Sequence, residues 1–271
     1  MYGYTSDRRG DNMGRKTIDR TGEENYNKWG SLMRIIEYKN ANDILIEFQD
    51  EYKIRKSVLY KEFKKGNVKN PYDKSVFGVG YIGDGKYKST ENGRVTKAYN
   101  IWHNMLMRCY EPYCINKHIS YKDCTVCEDW LCFQNFCKWY EENYYEIPNE
   151  KMHLDKDILV KGNKTYSPET CIFLPQKINN LFIKSDTKRG KYPIGIYWHK
   201  ANNKFEAKCS TINKEDNKII YLGLYDTSEE AFLAYKTFKE NYIKQVADEY
   251  KDIIPTKLYD ALYSYEVEIN D

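Results

Sequence analysis

No run of about 18 consecutive apolar residues occurs anywhere in the 271-residue chain, which argues against a helical membrane span. Met1 to Arg20 also lack the apolar stretch of a secretory signal and carry Arg8, Arg9, Arg15, Lys16 and Arg20 instead. The expected location is therefore cytoplasmic. A strong net charge is missing as well: 43 basic and 40 acidic residues leave only +3, so any nucleic-acid role has to be read from the distribution of charge. Eight cysteines without a secretory signal do not suggest a disulfide framework; core thiols or metal ligands are the two readings left. What is present is enough apolar material, 41% of residues, to build packed cores rather than a disordered chain. The length suits two or three small domains.

Residues 1–25 read as a flexible basic tail, with Gly3, Gly10, Gly14 and Gly22 scattered among charges. Ser31 to Tyr38 and Asp43 to Phe48 are apolar-rich and β-branched, and Asn40-Ala-Asn-Asp43 between them has turn composition, which predicts a β-hairpin. Short strands over Val58 to Tyr60 and Val76 to Ile82 would complete a small SH3-like barrel over 26–90. Within 91–185, Tyr99, Trp102, Met105 and Leu106 fall on one helical face, and Trp130, Phe133, Phe136, Trp139 and Tyr140 predict a second helix. Cys171 to Leu174 reads as a short strand, with a helix starting near Lys177.

Near Pro193 the pattern changes to three successive strands, Gly195 to Trp198, Lys204 to Cys209 and Lys218 to Gly223. Thr227 and Glu230 then form a capping box for a helix whose apolar face holds Ala231, Ala234, Tyr235 and Phe238. Nine basic and four acidic residues lie between Lys184 and Lys218, whereas the helix opens with Asp226, Glu229 and Glu230. Such a module offers a basic sheet and a more acidic back. Residues 242–271 carry seven acids and three lysines and read as an acidic helical tail, divided at Pro255.

The order Gly195-Ile-Tyr-Trp, Lys204-Phe-Glu-Ala, Tyr221-Leu-Gly-Leu-Tyr-Asp-Thr-Ser-Glu-Glu-Ala231 and Ala234-Tyr235 resembles an AP2 DNA-binding domain, over 190–241. The resemblance implies a sheet lying in the major groove of double-stranded DNA with the helix behind it. It puts Tyr197, His199, Lys208, Ser210 and Tyr221 at DNA-contacting positions, and Lys200 and Lys204 belong to the same candidate set. Plant-type domains carry Arg, Glu and Trp at these positions. The departure leaves fewer arginines for bidentate guanine contacts.

Three further segments run in order: Trp102-His-Asn-Met-Leu-Met-Arg-Cys-Tyr110; Tyr121-Lys-Asp-Cys-Thr-Val-Cys-Glu-Asp-Trp130; and Leu154-Asp-Lys-Asp157 with Tyr166-Ser-Pro-Glu-Thr-Cys171 and Asn179. The series looks like bacteriophage proteins related to HNH homing endonucleases, which often carry an AP2 module. That resemblance implies a ββα-metal site holding one divalent cation, Mg²⁺ or a similar ion, and a bacterial host cytoplasm. Asp155 stands where the base His usually sits, Thr170 at the middle Asn and Asn179 at the final metal ligand, so Asp155 and Asn179 are the candidate metal ligands. An Asp with its usual pKa near 4 is a poor general base at neutral pH. His153 shares a strand face with Asp155 and could replace it.

The two cysteine pairs Cys109/Cys114 and Cys124/Cys127 have spacings that could hold zinc, with buried thiols as the alternative. Near the N-terminus, Lys61, Lys64, Lys65 and Lys69 interleave with Tyr60 and Phe63, a possible phosphate contact or a solvated face. The expected whole is an α+β, multidomain chain: a barrel-like N-terminal module, an α/β HNH-like middle and a C-terminal AP2-like sheet plus helix. Its expected function is binding of double-stranded DNA with a degenerate nuclease site. The alternatives are an active metal-dependent endonuclease and a phage accessory protein that binds a host protein.

Overall fold

Met33 and Ile35 alternate with Arg34 along one strand, and Ile44, Ile46 and Phe48 alternate with Leu45 and Glu47 along the next. That period of two puts five buried side chains on one face of a hairpin. The computed structural model describes residues 18–117, 119–182, 191–212 and 217–269. The basic tail expected over 1–25 thus lies largely outside the described residues, as does Lys184 to Arg189 of the basic stretch. The chain divides into two compact units between Asp84 and Gly85, and each is described by itself.

In the first unit, β1 (Glu24–Tyr26), β2 (Leu32–Asn40), β3 (Asp43–Phe48) and β4 (Arg55–Val58) form an antiparallel meander in that order. Pairing of Met33 with Phe48 and of Ile35 with Ile46 sets the register. The barrel expected here is not closed. Among the described residues β1 and β4 remain the edges of an open sheet. The physical reason is the cover: the short helix α1 (Tyr60–Lys64) drops Phe63 onto the apolar face, and Val68 follows it. With that face buried by α1, strand closure is not needed. Val76 to Ile82, expected as a strand, forms isolated bridges, Val76 with Gly80 among them, rather than a continuous strand.

The second unit opens with a small hairpin, β5 (Thr90–Glu91) and β6 (Arg94–Val95). Helix α2 (Lys97–Tyr110) starts at Thr96, whose side chain accepts from the Tyr99 N–H. Trp102, Met105 and Leu106 form its buried face, as their spacing predicted. After α3 (Pro112–Lys117) and β7 (Thr125–Val126) comes α4 (Phe133–Asn143), which buries Phe133, Phe136, Cys137 and Trp139. The two helices meet through rings: Trp102 lies 5.3 Å from Phe133, and the Trp102 indole N–H donates to the Trp130 carbonyl at 2.7 Å.

Next, β8 (Met152–Asp155) pairs antiparallel with β10 (Ile172–Pro175), while β9 (Thr165–Tyr166) pairs in parallel with β7. Helix α5 (Gln176–Asn180) follows β10 directly. The C-terminal sheet is β11 (Ile196–His199), β12 (Lys204–Ile212) and β13 (Asn217–Tyr225), antiparallel in that order. Thr227 and Glu230 form the full capping box at the start of α6 (Ser228–Glu249), and α7 (Thr256–Tyr263) ends the sequence of elements.

The expected boundary at Asn241 falls inside α6, which runs on without a break. Ala231 and Tyr235 in its first half are buried against Ile196, Ala207 and Cys209 of the sheet. Tyr242, Ile243, Val246, Ala247 and Tyr250 at its far end are buried with Ile172, Leu174, Ile178 and Leu181, and with Leu258 and Leu262 of α7. Residues 242–262 are therefore core rather than an appended acidic tail. Their apolar positions repeat at helical spacing beneath the surface acids. Among the described residues no helix is long and apolar enough to cross a membrane.

Candidate functional site

Strand alternation sorts the C-terminal sheet into two faces. Ile196, Ala207, Cys209 and Thr211 point to α6 and are buried. Tyr197, Lys208, Ser210, Ile219 and Tyr221 point the other way, with Tyr197 and Tyr221 each 56% exposed. Register places Tyr197 opposite Glu206, Lys208 opposite Tyr221 and Ser210 opposite Ile219. The Lys208 ammonium lies 5.9 Å from the Tyr197 ring centre and 2.8 Å from the Glu206 carboxylate. His199 and Lys204 face each other at the hairpin end, where the Lys204 ammonium pairs with Asp226 at 3.1 Å. Lys200 is exposed in the connecting turn. Within this set, Tyr197, Lys208, Ser210 and Tyr221 share one surface, and His199 sits at its edge with Nδ1 buried and without a hydrogen-bond partner among the described residues.

Gly195 permits this sheet to sit close on its helix. Its φ is +76°, and a Cβ there would run into the Tyr235 ring and approach the Lys208 carbonyl to 2.8 Å.

The second candidate site stands on β8, β10 and α5. His153 pairs with Leu174 across the strands, and the turn from β10 into α5 returns Asn179 to the same place. The Asn179 amide nitrogen lies 3.2 Å from His153 Nδ1. With the amide donating, the ring proton sits on Nε2, which is buried without a partner among the described residues. Burial, then the charges of Lys151 and Arg108, holds the His153 pKa below its usual value.

Asp155 lies two residues along the same strand. Its Oδ1 accepts from the backbone N–H groups of Asp157 at 2.9 Å and Ile158 at 2.8 Å, so it ties the turn that leaves β8. Burial and the neighbouring Asp157 carboxylate push its carboxyl up to about 6. Thr170 donates to the Thr165 carbonyl at 2.9 Å and shares a hydrogen bond with Ser167, again a loop-closing role. The hairpin-plus-helix thus brings His153 and Asn179 together, while Asp155 and Thr170 are engaged with their own loops. Among the described residues, no three His, Cys, Asp or Glu side chains converge. Cys109, Cys114, Cys124 and Cys127 accordingly do not meet as a set. Cys109 and Cys124 are buried near each other, Cys114 is half-buried on α3, and Cys127 neighbours Cys171.

No family model, curated protein or solved structure matches this chain.

Two residues that matter were missed in the sequence. Glu206 lies on the outward sheet face beside Lys208, and the alternation Lys204, Glu206, Lys208, Ser210 contained that signal. Arg108, on α2, sits 5.5 Å from the Tyr121 ring, hydrogen-bonds the buried Tyr166, and contributes positive charge at His153. It belongs to the Trp102 to Tyr110 segment, but helical periodicity alone gives no reason to single it out.

Proposed function

We propose that this chain binds double-stranded DNA through the outward face of β11, β12 and β13, and that the His153 region is a degenerate relative of a nuclease site. The observation that carries this reading is the segregation of the sheet. Tyr197, Lys208, Ser210 and Tyr221 are presented together, while Ile196, Ala207 and Cys209 are spent on packing against α6. Three strands spaced about 4.8 Å apart form a ribbon narrow enough for a major groove about 12 Å wide. Lys200 and Lys204 at the hairpin end supply phosphate contacts, Lys204 by exchanging its pair with Asp226, which makes affinity fall with salt. Glu206 holds Lys208 in place and subtracts from the charge, so the face contributes affinity more than base readout. The AP2-like strand order supports the same conclusion.

The test is a mobility shift of duplex DNA at two salt concentrations, with Lys208→Ala/Tyr221→Ala beside the parent. Salt-sensitive binding by the parent and its loss in the variant are expected. Absence of a duplex complex at low salt would overturn the reading and leave the host-protein alternative.

The contact between His153 and Asn179 favours a second reading, a Mg²⁺- or Mn²⁺-dependent endonuclease. His153 would serve as base, with Asn179 and Asp155 toward the metal. Asp155 departs from this scheme because two backbone N–H groups already occupy one of its oxygens. Nicking of supercoiled plasmid that disappears in His153→Ala would establish cleavage; intact plasmid across divalent metals would eliminate it.

A further inference from the structure

Three loops come together in the first unit: the turn 27–31, the turn 50–53 and the segment 69–74. A buried polar network fixes them. The Asn27 amide donates to Asp73 Oδ2 at 2.8 Å and to the Val68 carbonyl at 3.1 Å. The Ser31 hydroxyl donates to Asp73 Oδ1 at 2.6 Å, and the Asn70 N–H donates to Asp73 Oδ2 at 2.7 Å. The Asn70 amide then reaches Asp50 Oδ2 at 2.5 Å. Asn27, Asn70 and Asp73 are buried, so loop positions are set by satisfied hydrogen bonds rather than by the loops' own preferences.

These fixed loops display rings outward. Trp29 is 44% exposed and Tyr52 46% exposed. Tyr52 stacks on Tyr72 with ring centres 3.5 Å apart and planes within 5°, which holds one Tyr52 face still and leaves the residue half open to solvent. The Lys69 ammonium stands 5.3 Å from the Trp29 ring centre. Lys28, Lys53, Lys69 and Lys74 are all exposed on the same three segments, and none is in an ion pair among the described residues. Of the three acids on these segments, Asp73 and Asp50 are turned into the network, leaving Glu51 as the exposed one. A rigid aromatic surface ringed by unpaired cations is chemically matched to a polymer with flat apolar groups and an anionic backbone.

We propose that these three loops form a binding site for single-stranded nucleic acid, with unpaired bases stacking on Trp29 and Tyr52 and phosphates contacting Lys28, Lys53, Lys69 and Lys74. Duplex bases already stack on one another and present no free face to a ring, whereas an unpaired strand does. A proline-rich peptide would use the rings but has no need of four lysines. These loops belong to the first unit and use none of the β11–β13 residues, so the proposal does not depend on the duplex reading.

Fluorescence polarisation on the full chain tests it, with a labelled oligothymidylate of roughly 15 nucleotides and a labelled hairpin duplex as probes. Trp29→Ala/Tyr52→Ala is expected to weaken oligothymidylate binding at least about tenfold and to leave the duplex affinity unchanged. Lys208→Ala/Tyr221→Ala is expected to do the reverse, and Trp29→Phe to retain most of the single-strand binding. Should the aromatic double variant lose its melting transition, Lys69→Gln/Lys74→Gln decides instead, with weaker binding and a shallower salt dependence expected. The proposal is overturned if the parent fails to bind oligothymidylate. It is equally overturned if the deciding variant stays within about twofold of the parent, or if both probes weaken together.

Discussion

Burial and the Asp157 charge raise the Asp155 carboxyl from 3.8 to about 6, so the folded chain keeps a proton there that the unfolded chain has already lost. For an acid shifted upward, this contribution to stability is complete below about pH 4 and is lost as pH rises through 6. Each pKa unit corresponds to about 1.4 kcal/mol, and solvent near the site reduces the total to about 1–3 kcal/mol. Asp155→Asn keeps an oxygen for the Asp157 and Ile158 N–H groups but cannot ionise. Its melting temperature in chelator is expected to exceed the parent's at pH 8, with the difference shrinking at pH 4. A parent no less stable than the variant at pH 8 would show that Asp155 ionises without cost. Added Mg²⁺ bears on the nuclease reading: a cation held by Asp155 would raise the parent's melting temperature at pH 8 and leave the variant's alone. The thiols allow a second residue-level measurement. Burial pushes Cys109, Cys137 and Cys171 up to about 12, so they are inert as nucleophiles near neutrality. Cys114 is half-buried on α3, and brief alkylation at neutral pH is expected to mark it before those three. Protection of Cys114 that a chelator removes would instead point to a bound metal.

At the scale of elements, α6 decides most. Its 22 residues span about 33 Å at 1.5 Å per residue, long enough to serve two cores. Thr227→Ala removes the side-chain acceptor for the Glu230 N–H at 3.2 Å and is expected to cost about 1 kcal/mol in chemical denaturation. Leu258, fully buried on α7, is a stronger probe: Leu258→Ala should cost about 2–5 kcal/mol, whereas a loosely attached tail would give almost no change. The start of α6 was readable because a capping box and a run of small apolar residues are local signals. The β2–β3 hairpin was readable for the same reason, as alternation on both sides of Asn40 to Asp43. The far end of α6 was obscured because Asp248 and Glu249 there, with Asp252 just beyond, set the composition while Tyr242, Ile243, Val246 and Ala247 set the packing. The open edge of the first sheet could not be read, since closure depends on what covers the apolar face and Phe63 lies on a helix of five residues. At the candidate site, motif order singled out Asp155 and Asn179, and strand alternation added His153; the hydrogen bond that joins His153 to Asn179 was not legible in either. The hydrogen bonds that bind Asp155 to its own turn depend on loop geometry that spacing does not carry.

For the whole molecule, the question is whether residues 242–271 are an appendage or part of the second unit. Tyr242, Ile243, Val246, Ala247, Tyr250, Ile254, Leu258 and Leu262 form one buried cluster with Ile172, Leu174, Ile178 and Leu181. Val267 reaches the sheet cluster beside Ala231 and Tyr235, its N–H donating to the Glu240 carboxylate at 2.8 Å. Ending the chain after Asn241 would therefore strip one side from two cores and bare the back of the strand that precedes Asn179. The first unit, with its own cluster around Met33, Ile46 and Phe63, uses none of these residues. Calorimetry of the chain cut after Asn241 is expected to lose the transition of the second unit and retain that of the first. Oligothymidylate binding should survive the cut and duplex binding should not, because the sheet face needs α6 behind it. A shortened chain that still binds duplex DNA with unchanged melting would mean that the sheet and the first half of α6 fold unaided, and would restore a boundary near Asn241.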